Sequence, residues 1–404
     1  MKHKSLLQIN TTLNYGSTGR IAENISILAE KNGFDCYIAH GGRYINKSSI
    51  KSIRVSSKID NYIHAFVGEF LRLHGLGSFI STCNFIRKIK RIQPDIIHLH
   101  NIHGYYINYP LLFKFLAKYD RPVVWTLHDC WTLTGHCTHF ENYGCEKWKT
   151  ECYDCPLLMA QYKSRVFDFS RYNYRLKKKY FNQVKNLTVV PVSKWLEGKV
   201  MSSHLKKNDT QVIRNGIDLN VFSIRQTDLK RSLGLSDRPI ILGVASGWGK
   251  EKGIGEFIQL SQRGKYHVII VGVSQKLKKD LPQELIAIER THSQAELADY
   301  YNIADVFVNP TYNDTLPTVN MEALACGTPV VTYNTGGSPE LIDDTTGVVV
   351  PRGDTSALEQ AIDKVIEKGK GIYSFNCRKR AEENYNKEER FTDYIDLYKK
   401  LITK

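Results

Sequence analysis

The chain has 404 residues, 42% hydrophobic and 24% charged, which excludes a disordered chain, a collagen and a small disulfide scaffold, and suits two domains of about 200 residues. The net charge of +15 is uneven, because residues 1–190 carry 27 Lys plus Arg against 13 Asp plus Glu. That excess leaves open a solvated basic surface, anionic lipid, a phosphorylated substrate or nucleic acid as its meaning.

The longest apolar runs, 122–127 and 240–245, fall far short of the roughly 18 residues of a membrane-spanning helix. Near the N-terminus the apolar block is only Leu6, Leu7 and Ile9, shorter than a secretory core of about 7 residues. A cytoplasmic chain is expected, with its nine cysteines as thiols or metal ligands rather than disulfides.

Short β-rich runs alternate with segments of helical period, which predicts parallel sheets covered by helices. In the first half, strands are expected at 5–10, 35–40, 95–100 and 122–128. The second half offers 188–193, 240–246, 267–272, 305–309, 329–333 and 347–351. The pattern predicts an α/β protein of two doubly wound Rossmann-like domains, with a ligand cleft between them at the carboxyl ends of the strands. The expected division is a first domain over 1–192 with a Cys-rich insertion near 130–156, a linker near Val192 to Trp195, and a second domain over 193–375. Helices over 376–404, with Phe391, Tyr394, Ile395, Leu397, Tyr398 and Leu401 at helical spacing, are expected to pack back on the first domain.

The first strand runs into Asn14-Tyr15-Gly16-Ser17-Thr18-Gly19-Arg20 before a helical pattern. Gly16 and Gly19 would let the backbone approach a phosphate at the helix start, although a purely structural turn has the same appearance. A second strand-to-helix junction spans Pro310 to Pro329 and carries two acids eight positions apart, Asp314 and Glu322. If a helix starts at Thr318, both carboxylates flank its free N–H groups, a frame able to hold a diphosphate and to accept sugar hydroxyls. A capping Asp and a solvated Glu are the alternative.

Asp314-x7-Glu322, the following Ala-Leu-Ala-Cys-Gly-Thr-Pro-Val-Val, and Gly336-Gly337-Ser338-Pro339-Glu340 together resemble the donor-site signature of glycosyltransferase family 4, retaining GT-B enzymes that use nucleotide-diphosphate sugars. Ile213-Arg214-Asn215-Gly216-Ile217-Asp218 and Lys252-Gly253 resemble the family's post-linker turn and its phosphate-binding pair. His98-Leu99-His100-Asn101-Ile102-His103 and Trp125-Thr126-Leu127-His128-Asp129-Cys130-Trp131 are most similar to colanic-acid, capsule and O-antigen members.

The resemblance implies that Glu322 holds the ribose hydroxyls and that Asp314 replaces the family's first Glu near the donor sugar. Backbone groups at Thr318 and Val319 would face the diphosphate, Lys252 would pair with it as it leaves, and Gly16 would approach it from the first domain. His128 aligns with the histidine near the donor sugar; a strand-end histidine bonded to backbone is the alternative. His100, Asn101 and His103 are candidates on the acceptor side. Three departures stand out. Ser246 occupies the position of a family Arg, leaving Lys250 as a substitute cation; Asp314 is one methylene shorter than Glu; Pro317 replaces a glycine and has no N–H to donate. No catalytic cofactor is expected, and no Asp-x-Asp metal motif occurs.

Cys137, Cys145, Cys152 and Cys155 fall within 19 residues, a density that suits a structural zinc site; buried thiols packing an insertion are the rival. Phe70-Leu71-Arg72-Leu73, the run from Phe85 to Ile92 and the run from Arg175 to Lys179 alternate apolar and cationic residues. They read either as sheet-packing helices with cationic outer faces or as faces resting on an anionic inner leaflet.

The leading function is therefore glycosyl transfer from a nucleotide sugar to a lipid-linked saccharide acceptor in cell-surface polysaccharide biosynthesis, by a cytoplasmic enzyme peripheral to the plasma membrane. A nucleotide-sugar epimerase on the same frame is the alternative. Nucleic-acid binding is suggested only by charge and has no recognisable motif behind it.

Overall fold

The computed structural model describes residues 4–70, 73–158 and 168–403. The chain divides into one unit of Met1–Arg214 plus Arg390–Lys404 and another of Asn215–Glu389.

The first unit is built on seven parallel strands, β1 (Lys4–Asn10), β2 (Phe34–His40), β3 (Lys51–Arg54), β4 (Ile96–Leu99), β5 (Val123–Leu127), β6 (Leu187–Pro191) and β7 (Asp209–Thr210), in the order β3-β2-β1-β4-β5-β6-β7. Strands β4, β5 and β6 are buried along their whole length, as a parallel sheet with both faces covered requires, and this is why they read as unbroken apolar runs. The second unit carries β8 (Ile240–Val244), β9 (His267–Val271), β10 (Leu285–Ile288), β11 (Val306–Asn309), β12 (Val330–Tyr333) and β13 (Gly347–Val350), in the order β10-β9-β8-β11-β12-β13. Both sheets reverse direction of growth beside their first strand, between β1 and β4 and between β8 and β11. Such switch points are where doubly wound sheets hold ligands.

Two expectations about the division need correction. The strand at Leu187–Pro191, grouped above with the strands of the second half, lies inside the expected first domain of 1–192 and pairs in parallel with β5. The boundary accordingly lies at 214/215 rather than near Val192 to Trp195, because the helix Lys194–Met201 and β7 still build on β6. Nor do residues 376–404 form one body. The helix Lys370–Tyr385 belongs to the second unit, and the chain rejoins the first at Arg390. There Phe391, Tyr394, Ile395, Leu397 and Tyr398 enter a buried cluster with Leu6, Ile25, Cys36, Ile96, Val124 and Val190. Each large apolar side chain so buried contributes about 1.5–3 kcal/mol, so this last helix is an integral part of the first unit.

Strands β3, β7 and β10 were not foreseen. Lys-Ser-Ile-Arg and Asp-Thr are short, polar edge segments, and Leu-Ile-Ala-Ile is only partly covered; none carries the buried apolar run by which central strands are read.

Candidate functional site

The sequence-predicted residues form two groups, one in each unit. In the first unit they gather at the carboxyl ends of β1, β4 and β5. The His100 N–H donates to Ile9 O across the switch point at 2.9 Å, and Thr11 Oγ1 donates to the carbonyls of Asn101 at 2.9 Å and His103 at 2.5 Å. His100 and His128 stack, with His100 Nδ1 3.0 Å from His128 Nε2. His103 Nε2 lies 2.8 Å from Asp129 Oδ2, whose other oxygen accepts from the Trp131 N–H at 2.8 Å. A cavity at these strand ends is lined by His100, Asn101, His103, Thr126, His128 and Asp129. Gly16 begins the helix Gly16–Lys31 directly after β1 and its loop, and Gly19 is buried one turn on, with Thr12 Oγ1 only 2.6 Å from where a Cβ would stand.

Burial sets the charge states here. It holds His98 and His100 well below the usual imidazole range and brings His128 down to about 4, so all three are neutral at pH 7. Burial alone would raise Asp129, but the neighbouring His103 and the Trp131 N–H outweigh it and bring the carboxyl down to about 2. Behind the site, His98 Nδ1 lies 2.6 Å from the Tyr398 hydroxyl and its Nε2 2.8 Å from Thr126 Oγ1, which donates to Tyr394 Oη at 3.0 Å. The last helix of the chain thus braces β4 and β5 through polar as well as apolar contacts. Sequence reading gave Asp129 and Thr126 no role of their own, took Tyr394 and Tyr398 as packing residues only, and passed over Gln8. The available signal was Gln8, an amide inside the apolar strand Ser-Leu-Leu-Gln-Ile-Asn, since a polar group on a fully buried strand needs partners.

In the second unit Lys252, Asp314, Thr318, Val319 and Glu322 come together around the ends of β8 and β11. Lys252 closes a short 3-10 turn, and its ammonium reaches Asp314 Oδ2 at 3.1 Å, Asn313 O at 3.3 Å and Thr311 Oγ1 at 3.4 Å. Gly253 explains the Lys-Gly pair: its φ is +75°, and a Cβ would stand 2.5 Å from Pro310 Cγ, so only glycine lets this turn lie against the β11 loop. The helix Thr318–Ala325 starts straight after that loop, with Pro317 as its N-cap and no side chain capping it. Thr318 and Val319 occupy its first two positions, and Glu322, one turn in, accepts a hydrogen bond from the Tyr301 hydroxyl at 2.9 Å. Gly336, φ +56°, brings the loop after β12 against Asp314, whose carbonyl oxygen would be 1.6 Å from a Cβ. Asn313, Thr335 and Ser338 in these loops are buried, and among the described residues their side-chain polar atoms have no hydrogen-bond partner. Lys250 is exposed on the same turn as Lys252, and Ser246 is exposed before it.

The zinc expectation is not met. Among the described residues no three His, Cys, Asp or Glu side chains stand close enough to hold a metal ion, and Cys137, Cys145, Cys152 and Cys155 are free thiols. Burial pushes Cys137 and Cys152 up to about 12, so they are protonated and pack as small apolar groups. Lys177 organises the segment instead. Its buried ammonium donates to Trp131 O at 2.6 Å and Thr134 O at 3.0 Å, and lies 3.5 Å from the centre of the Trp131 ring. Phe140 stacked on Trp148, at 4.7 Å, closes the other side.

With this geometry in place, two family descriptions match the chain: Glycosyltransferase Family 4 over residues 30–221 and Glycosyl transferases group 1 over residues 225–388. The chain belongs to the family 4 glycosyltransferases. It is 25% identical, over 98% of its length and 100% of the relative's, to Escherichia coli (strain K12) WcaC, named as a colanic acid biosynthesis glycosyl transferase. Among solved structures it resembles a sucrose-phosphate synthase from Thermosynechococcus elongatus, with a TM-score of 0.74 at 19% identity over 99% of both chains. It also resembles Anabaena HepE in complex with UDP-glucose, with a TM-score of 0.67 at 15% identity over 99% of this chain and 100% of that one. The fold is GT-B, two Rossmann-like domains, and this glycosyltransferase has its sequence-predicted residues at the switch points of both.

Proposed function

We propose that this glycosyltransferase moves a sugar, with retention at the anomeric carbon, from a nucleotide-diphosphate donor to a lipid-linked saccharide during assembly of a cell-surface polysaccharide. The observation that carries the proposal is the second-unit cluster: an ammonium, two carboxylates and an uncapped helix start converge on loops lined with buried, unpartnered hydroxyl and amide groups.

Breaking the anomeric C–O bond places negative charge on the departing diphosphate and oxocarbenium character on the sugar. Lys252 and the N–H groups at Thr318 and Val319 meet the first demand, with Lys250 as an outer cation; a helix start stabilises an anion by its dipole as well as its donors. Loss of one such preorganised donor lowers the rate by about 10² to 10³. Glu322, a carboxylate one turn into that helix, would accept ribose hydroxyls, while Asp314, Asn313, Thr335 and Ser338 would receive sugar hydroxyls. From the first unit, Gly16 and Gly19 would approach the diphosphate, His128 would orient the sugar, and His100, Asn101 and His103 would lie toward the acceptor. A phosphate oxygen of the leaving group would take the acceptor's proton, since attack on the face the diphosphate leaves brings the two within reach. The names of WcaC and of the HepE complex with UDP-glucose support a polysaccharide product and a nucleotide-sugar donor.

A lipid-linked acceptor and a peripheral site on the cytoplasmic leaflet are supported by a feature that sequence reading put elsewhere. In the helix Phe79–Ile92, Phe85 and Ile89 are buried and the cations are exposed, so its apolar side packs inward, beside the helix Tyr109–Leu116, and its outer face is cationic. Leu71 and Arg72 lie outside the described residues. The helix Lys58–Phe70, by contrast, turns its apolar stripe to solvent: Ile59, Tyr62, Ile63, Phe66 and Phe70 are 56–78% exposed, and Phe79 and Ile80 of the next helix are 60% and 72% exposed. A stripe of this kind in a basic unit fits the interface of an anionic bilayer. No described helix is long and apolar enough to cross one.

The test is turnover of a panel of nucleotide sugars, preselected by thermal shift, with and without glycolipid acceptors. Nucleoside diphosphate is expected only when donor and acceptor are both present, and Lys252→Met is expected to reduce kcat by about 10² to 10³. Donor conversion without an acceptor favours an epimerase, and undiminished turnover by both Lys252→Met and Glu322→Gln overturns the assignment.

A further inference from the structure

Behind His128 lies a line of hydrogen bonds whose direction is fixed at its far end. Gln8 Nε2 stands 2.7 Å from the carbonyl of Ala22 and 2.6 Å from Ser26 Oγ. A carbonyl only accepts, so the group facing Ala22 is the NH2 of the amide, and the reversed amide would set two acceptors against each other. Gln8 Oε1 is then an acceptor, and His100 Nε2, 2.6 Å away, must carry the proton between them. Burial keeps His100 neutral, so its Nδ1 is a lone pair. His128 Nε2, 3.0 Å from that lone pair, must in turn be the protonated nitrogen. Gln8, His100 and Ser26 are all 0–1% exposed, so no bulk water offers an alternative partner along the line.

We propose that Gln8 and His100 form a tautomer relay that locks His128 in its Nε2–H form, leaving Nδ1 as the nitrogen that accepts hydrogen bonds. Gln8 and His100 are positioning residues for His128, and neither needs to touch substrate. The proposal deepens the reading of His128 beside the donor sugar and rests on it for its functional meaning. It specifies that His128 accepts from a sugar hydroxyl and does not donate to it. Derivatives in which that hydroxyl is replaced by hydrogen or fluorine, which cannot donate, lose the interaction equally.

The relay is tested on the full-length protein with uniformly 15N-labelled histidine, by long-range proton–nitrogen correlation at pH 7, with signals assigned through His100→Asn and His128→Gln. The expected spectrum has both rings neutral and protonated at Nε2. An Nδ1–H His128, or a charged His100, overturns the relay whatever the activity. Gln8→Glu supplies a second readout. A carboxylate beside His100 Nε2 favours an imidazolium whose Nδ1–H then donates to His128, which reverses His128 to the Nδ1–H form. At least a tenfold fall in kcat with little change in donor KM is expected. Gln8→Leu, which removes the acceptor without adding charge, is expected to leave a mixture of His128 tautomers; a pure Nε2–H His128 in folded Gln8→Leu also overturns the relay. If His128 is Nε2–H while His128→Ala retains full turnover, the relay stands and the placement of His128 beside the sugar fails.

Discussion

Acid should weaken the first unit selectively, through histidines that its sheet and helices bury in neutral form. His64 is the case that can be quantified. It is fully buried, its Nδ1 lies 3.0 Å from Ser78 Oγ, and a Cβ on Gly77 would stand 2.5 Å from its ring, so the ring has no room to reach solvent. Burial lowers its pKa from 6.5 to about 4, only partly opposed by Asp60. The folded pKa is below the unfolded one, so between these values the unfolded chain binds more protons and stability rises with pH. Lowering the pH from 7 to 5 protonates the unfolded histidine almost completely and the folded one hardly at all, which removes about 2 kcal/mol. His98 and His100 shift in the same direction for the same reason, while Lys177, pulled from 10.5 down to about 7 by burial, opposes folding mainly between those two values and so adds little to the loss below pH 7. Against a domain stability of about 5–15 kcal/mol, the sum is large. The assay is urea unfolding of the first unit at pH 7 and pH 5, followed by amide exchange on β1, β4 and β5. His64→Gln is expected to be less stable at pH 7 yet to lose about 2 kcal/mol less than the parent on acidification. An identical loss in parent and variant would refute the reasoning.

Two further outcomes follow from the same structure. Replacing Ile59, Phe66 and Phe70 together by Ser is expected to abolish co-sedimentation with anionic vesicles without affecting the fold, since each apolar side chain is worth about 1.5–3 kcal/mol on burial, or roughly tenfold or more in partitioning; equal binding by parent and variant contradicts a membrane face at this stripe, and equal binding of the parent to neutral vesicles contradicts an anionic leaflet as its target. Gly336→Ala is expected to eliminate the donor-induced thermal shift, because the added Cβ would collide with the Asp314 carbonyl 1.6 Å away and displace that loop. Gly264→Ala, with φ +69° and nothing within 4 Å, should lose only about 1–2 kcal/mol of stability and keep the donor response. An unchanged donor response in Gly336→Ala separates the loop from donor binding.

The central strands were legible because a parallel sheet covered on both faces leaves a continuous apolar run, as in Val-Val-Trp-Thr-Leu of β5, which few other environments tolerate. The two strand-to-helix junctions were legible for a related reason. A carboxylate flanking a helix start is a local demand written in neighbouring residues, whereas the demand that Gly253 lie on Pro310 joins distant ones. The Cys-rich segment misled because thiol density is compatible with both metal ligation and packing, and spacing alone carries no distances. Only the fold reveals Lys177 holding that segment by two carbonyls and an indole face.

Chain order and residue type, then, determined the fold class, the family and the members of the second-unit cluster, since each of its loops answers local rules of turn, cap and charge. Tertiary structure decided what depends on contacts between distant residues: that the first unit runs on to Arg214, that of residues 376–404 only those from Arg390 return to it, that the apolar stripe of Lys58–Phe70 faces outward, and that Gln8, 92 positions from His100, directs the protons at His128. A hydrogen bond or a buried face is a relation between two surfaces, and a sequence specifies each surface without specifying which one it meets.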